Sequence, residues 1–149
     1  AMLTAAGLRW YEVSNWAADD QAMCRHNLLY WTGGNWWGAG PGAHSHVAGT
    51  RWWNVRHPAA YAQRVGAGVS PGQAREVLTT AERRTEDIML ATRLAAGCPA
   101  SALSDSGLVA ARQAVADGLA SQEALLAGRV ELTTQGRLLA DAVIRGLTD

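Results

Sequence analysis

Cys24, His26, Asn27 and Tyr30 fall in one short stretch, "CRHNLLYW", which brings a thiol, an imidazole, an amide and a phenol close together. Further on, His44 and His46 follow the glycine-rich "GAGPG". Cys24, His26, His44 and His46 are donors of the kind zinc accepts, and alternation along strands would turn each pair to one side. Their spacing is not that of a known finger, so the reading kept is one of ordinary loop or core histidines. Glu12, Cys24, His26 and His44 also offer acid–base or nucleophilic groups. No nucleophile sits on an elbow, however, and no base has an orienting partner in the sequence. The glycine run lacks the Lys-Ser/Thr that follows a phosphate loop and the helix start it needs, so no nucleotide site is read from it.

Haem ligation is a further chemistry open to these residues. Covalent attachment of the c type is excluded, because there is no Cys-x-x-Cys-His. Non-covalent ligation through His26 stays open, since haem needs an axial imidazole or thiolate and an apolar wall that Tyr30, Trp31, Trp36 and Trp37 could supply. Cys98-Pro99 is the other candidate. After the helix-ending Gly97, that pair reads first as a stop signal.

The chain that must position these residues has 149 residues, of which 48% are apolar, enough for a real core. Its 13 basic and 13 acidic residues cancel. Nucleic acid is therefore excluded as a principal partner, because affinity for a phosphate backbone rests on a basic surface. No apolar run reaches the roughly 20 residues of a membrane span, and no basic region followed by an apolar stretch opens the sequence. Two widely separated cysteines form no disulfide framework. The expectation is a cytoplasmic protein with free thiols.

The seven tryptophans all lie between Trp10 and Trp53, and there is no phenylalanine. This Trp- and Gly-rich half gives way to an Ala- and Leu-rich one. Gly7 is placed to cap a short opening helix, with a strand from Arg9 to about Ser14 after it. A second strand is expected over "NWWGAGPGAHSHV", where Gly38, Gly40 and Gly42 at every second position would leave one face nearly bare. Pro41 within it favours an edge or a bulge. Between the two lies a stretch from Trp16 to Asn35 without clear periodicity, read as a functional loop containing "CRHNLLYW". Two strands do not make a parallel sheet, so the sequence is expected to enter in the middle of a larger α/β domain.

Pro58 suits a first helical turn that closes at Gly66 or Gly68, and Ser70-Pro71-Gly72 forms a turn taken as the hinge between modules. Thr79 and Glu82 form a capping box, opening a helix that ends at Gly97 and Pro99. Helices are expected near Ser101–Leu103 and Leu108–Asp117, then a hairpin around Ala127-Gly128. A last helix is expected from Thr134 to Leu147, with Leu138, Leu139, Ala142, Val143 and Leu147 on its apolar face. Helices, a hairpin and a closing helix suggest a winged-helix-like module. Arg137 and Arg145 are its only bases on the closing helix, so packing or protein docking is read in preference to DNA binding.

The segments "YEVSNWA", "CRHNLLYW", "WWGAGPGAHS", "RWWN" and "VELTTQGRLLADAVIRGL", in this order, resemble the C-terminal portion of the HemW family. These are haem chaperones, also called oxygen-independent coproporphyrinogen III oxidase-like, of the radical S-adenosylmethionine superfamily. The resemblance implies an α+β chain: residues 1–70 as the last strands of a radical-SAM barrel with a Trp/Gly-rich loop, and 71–149 as a helical winged-helix-like domain. It implies haem binding and transfer to apo-haemoproteins such as respiratory enzymes, with the His-Asn-x-x-Tyr residues His26, Asn27 and Tyr30 at the haem and His26 on its iron. Asn27 and Tyr30 would then orient His26 through hydrogen bonds. Gly38, Gly40 and Gly42 would lie on the S-adenosylmethionine side of the parent barrel. The family's 4Fe-4S cluster and S-adenosylmethionine need a CxxxCxxC motif that this sequence lacks, so catalysis by this chain alone is not expected. The alternatives are part of an oxygen-independent coproporphyrinogen III oxidase, or a structural module that dimerises through exposed strands.

Overall fold

In the computed structural model, which describes residues 2–149, helix α1 (Met2–Ala5) leads into strands β1 (Arg9–Glu12) and β2 (Asn15–Ala17) and helix α2 (Arg25–Trp31). Strands β3 (His44–Val47) and β4 (Thr50–Asn54), helix α3 (Pro58–Gly66) and strand β5 (Gly72–Val77) follow. The remainder comprises α4 (Thr80–Ala91), β6 (Cys98–Pro99), a 3-10 turn (Ala100–Ala102), α5 (Asp105–Ala116), α6 (Gln122–Leu126), β7 (Arg129–Val130), α7 (Thr134–Leu138) and α8 (Ala140–Thr148). The expected mixture of helix and sheet is present. Every strand pairing among the described residues is antiparallel.

The described chain divides into two compact units, residues 2–33 with 84–149 and residues 34–83. The first unit is discontinuous because β1 bonds to residues beyond the second: Ala95 N–H donates to Tyr11 O at 2.9 Å and Val13 N–H to Arg93 O at 3.2 Å. Its apolar core joins Ile88, Cys98, Leu103, Ala111, Ala114, Val130, Val143 and Leu147. Ser104, Ser121 and Thr133 each accept a hydrogen bond from the amide three residues on, capping α5, α6 and α7. Two glycines permit close approach: a Cβ at Gly107 would lie 2.7 Å from Leu147 O, and one at Gly136 1.8 Å from Leu119 O.

In the second unit β3, β4 and β5 form an antiparallel sheet in that order. Ala48 and Gly49, with φ of 50° and 78°, make the two-residue turn between β3 and β4, where both central residues need positive φ. Pro58 opens α3 as expected. The Ser70-Pro71-Gly72 segment leads straight into β5, a strand absent from the sequence reading.

Several other expectations change. "CRHNLLYW" is largely helix α2, whose pattern the aromatic residues hid. The glycine segment is not a strand: Gly40 and Gly42 have φ of 107° and 68°, and β3 begins only at His44. The Thr79–Glu82 box is present, with Thr79 N–H donating to Glu82 Oε2 at 2.8 Å and Glu82 N–H to Thr79 Oγ1 at 3.2 Å. Helix α4 stops at Ala91, short of Gly97. No local hairpin forms at Ala127-Gly128; β7 pairs instead with the distant β6, Cys98 facing Val130. The closing helix breaks at Leu139, which leaves Leu138 83% and Leu139 48% exposed, while Val143, Ile144 and Leu147 fill the core. No helix among the described residues is long and apolar enough to cross a membrane.

Candidate functional site

A bulge in β1 turns two consecutive residues inward. The register with β2 slips between Trp10 and Glu12, so Tyr11 and Glu12 are both buried. Each then reaches the segment that carries His26. The Tyr11 hydroxyl accepts from Cys24 N–H at 3.2 Å, fixing the residue that precedes α2. The Glu12 carboxylate accepts from the Asn27 side-chain amide at 3.3 Å and from that of Asn15. A buried carboxylate without partners would be strongly unfavourable, and two amides meet that need here. The turn between β1 and β2 is strained at Val13, whose φ is 23° without being glycine.

The four-residue spacing places His26 and Tyr30 on the same face of α2. Their rings meet edge to face with centroids 4.8 Å apart. Both side chains are exposed. Asn27, one residue further round the helix, points instead to Glu12. Asn27 therefore anchors the helix and not the imidazole, and Tyr30 meets His26 through its ring. Beneath α2, Glu12, Asn15, Asn27, Tyr30 and Trp31 line a cavity of about 320 Å³.

The other predicted residues occupy different settings. The His44 ring stacks on Trp53 at 5.8 Å, while His46 holds Gly34 O through Nδ1 at 2.8 Å and lies against Trp36. Among the described residues no group of three or more His, Cys, Asp or Glu side chains is placed to hold a metal ion. Cys24 is exposed, whereas Cys98 is 1% exposed within the core, where burial pushes its thiol pKa up. Cys98 thus has no open face for haem.

Of the three glycines Gly38 alone lines a cavity of about 510 Å³ in the second unit, where it and Trp37 meet Trp52, Asn54 and Tyr61. Gly38 has no room for a side chain, since a Cβ would lie 2.0 Å from His44 O. Buried Asn54 donates to Gly38 O and Gly40 O, at 3.3 and 3.0 Å, and Ser45 Oγ accepts from Gly38 N–H at 2.9 Å. Glu12 is the residue that sequence reasoning placed among possible acids and bases without finding its partners. The available signal was Asn15, three residues on, across a two-residue turn.

No model of a known protein family matches the chain. Over 147 residues it is 48% identical to the heme chaperone HemW of Mycobacterium tuberculosis, covering 99% of this chain and 37% of that protein. It is 34% identical over 95 residues to the heme chaperone HemW of Bacillus subtilis, covering 64% of this chain and 25% of that one. The chain thus spans well under half the length of these relatives. Its fold is similar to part of a solved coproporphyrinogen III oxidase (HemN) from Escherichia coli, described as a radical SAM enzyme: TM-score 0.71, 17% identity, 99% of this chain and 38% of that one.

Proposed function

We propose that this chain, which belongs to the HemW-like family, binds haem through His26 as part of a haem-handling protein. One observation carries the reading: His26 stands exposed on α2, braced edge-on by Tyr30, while Asn27 and Cys24 tie the same helix to β1. A neutral imidazole offers one ring nitrogen to an iron. Its neighbours fit that task, because they set the ring's orientation without occupying its exposed edge. A single exposed axial ligand also suits a protein that releases haem to apo-haemoproteins, since few contacts must break.

Within the longer relatives, the same reading makes residues 1–70 the edge of a radical-SAM barrel and residues 71–149 a winged-helix-like module. A 4Fe-4S cluster and S-adenosylmethionine belong to that longer protein. The thiols here do not fit a cluster, as one is exposed, one is buried and a third is lacking. Gly38, Gly40 and Gly42 would then face S-adenosylmethionine, a placement supported by the open space at Gly40, where a Cβ would meet nothing within 4 Å. The edge strand β5, exposed from Gln73 to Val77, is the surface for homodimerisation in this proposal, and a cytoplasmic site of action completes it. The likeness to an oxidase concerns the fold, and nothing in the site favours porphyrinogen oxidation over haem binding.

The test is a haem titration followed by visible spectroscopy. His26→Ala is expected to lose the saturable Soret shift while its far-ultraviolet circular dichroism stays unchanged, and Cys98→Ala is expected to keep the shift. Equal binding by His26→Ala would remove His26 as ligand.

A further inference from the structure

The break at Leu139 opens a cavity of about 590 Å³ between α7, α8 and the β1–β2 turn, within the range of small-molecule sites, about 300–1,000 Å³. Its lining is unusually cationic. Arg93, Arg137 and Arg145 reach it, and Asp141 is the one carboxylate in the wall. Asp141 is already engaged by Arg93 at 2.5 Å. Arg137 and Arg145 have no carboxylate partner among the described residues.

Arg137 lies over Trp10, its guanidinium carbon 4.2 Å from the ring centroid, with the Trp16 centroid at 5.7 Å, and donates to Thr134 Oγ1 at 2.8 Å. The ring contact and the Thr134 bond hold the guanidinium in place, and a held fork is what bidentate carboxylate recognition requires. The apolar part of the site is equally open. Leu138 and Leu139 stand exposed at the rim, where an unbroken helix would have turned them inward. Val13 lines both this cavity and the smaller one beneath α2.

We infer that this arginine-lined cavity is a second binding site, which takes the carboxylate-bearing edge of a planar apolar ligand, the propionate side of a porphyrin. The choice of porphyrin rests on the haem-handling reading above; the demand for an amphiphilic carboxylate rests on the cavity itself. Arg137 and Arg145 bind the carboxylates, Trp10 and the two leucines cover the ring, and the iron plays no part.

The experiment therefore uses metal-free protoporphyrin IX and its dimethyl ester, titrated into the full chain and read by tryptophan fluorescence quenching. The free acid is expected to bind about tenfold more tightly than the ester, with an affinity that falls as salt rises. Arg145→Gln, an exposed change that leaves the core untouched, is expected to weaken the acid about tenfold and the ester hardly at all, and Arg137→Gln to do the same. Arg112→Gln, at an exposed arginine of α5 outside the cavity lining, should leave both affinities unchanged. Equal affinities of acid and ester, no binding of either, or an Arg145→Gln protein that still discriminates between them would each overturn the proposal. If the discrimination fails while His26→Ala still abolishes the haem spectrum, the haem reading stands without this cavity. If it holds while the haem spectrum is indifferent to His26, the cavity stands and the axial ligand falls.

Discussion

Glu12 illustrates how one side chain connects strand to helix. Its buried carboxylate has amide partners on either side, Asn15 within its own hairpin and Asn27 on α2. Glu12→Ala should leave both amides unsatisfied and destabilise the chain by about 1–3 kcal/mol, measurable by urea titration. Asn27→Ala should unfasten α2 and weaken haem binding less than His26→Ala does. The cysteines supply a separate residue-scale check. Cys24 should react promptly with a thiol reagent under native conditions and Cys98 only upon unfolding. Burial raises the folded-state pKa of Cys98 above its unfolded value. Its contribution is accordingly complete below the unfolded value, near pH 8.5, and is lost as pH rises toward the folded one. Cys98→Ala should flatten the alkaline limb of the stability curve.

Elements were legible where a local rule fixed them. Pro58 opens α3, Gly7 takes the positive φ of 79° expected after α1, and Thr79 with Glu82 caps α4. Hydrogen bonds from Thr79 hold the Glu82 carboxyl below the usual carboxylate range. Its stabilisation exists above the unfolded pKa and disappears as pH falls through the folded one, so Glu82→Gln should differ from the parent at neutral pH and converge with it in acid. Long-range decisions were hidden. The pairing of β7 with β6 cannot be seen from Ala127-Gly128, and Leu138 and Leu139 fit a helical period that the break at Leu139 cancels. Of the candidate site, the residues of the His-Asn-x-x-Tyr motif were readable, but their roles were not. Asn27 turns away from His26 because a β-bulge brings Glu12 beneath the helix, and a bulge leaves no periodic trace. Packing at glycines is similarly silent in sequence. Gly136→Ala should cost about 1–3 kcal/mol or more, since its Cβ would enter the Leu119 carbonyl, and thermal unfolding would report it.

For the whole molecule, the division at residues 33 and 84 means that β1 draws its stability from residues beyond the second unit, Arg93 and Ala95 among them. Amides of Val13 and Ala95, which bond between β1 and the segment after α4, should exchange with solvent as slowly as those of α5 and α8. Fast exchange at Val13 with slow exchange in α5 would show that β1 opens by itself. The discontinuity also has a consequence during synthesis. As the chain leaves the ribosome, Tyr11 and Val13 emerge long before Ala95 and Arg93, their backbone partners across the insertion. At roughly 5–20 residues per second, the interval lasts several seconds. During it the β1–β2 hairpin lacks these two partners, while residues 34–83 can already close upon their own sheet. The nascent chain should be most prone to aggregate, and most dependent on protective binding factors, in that window.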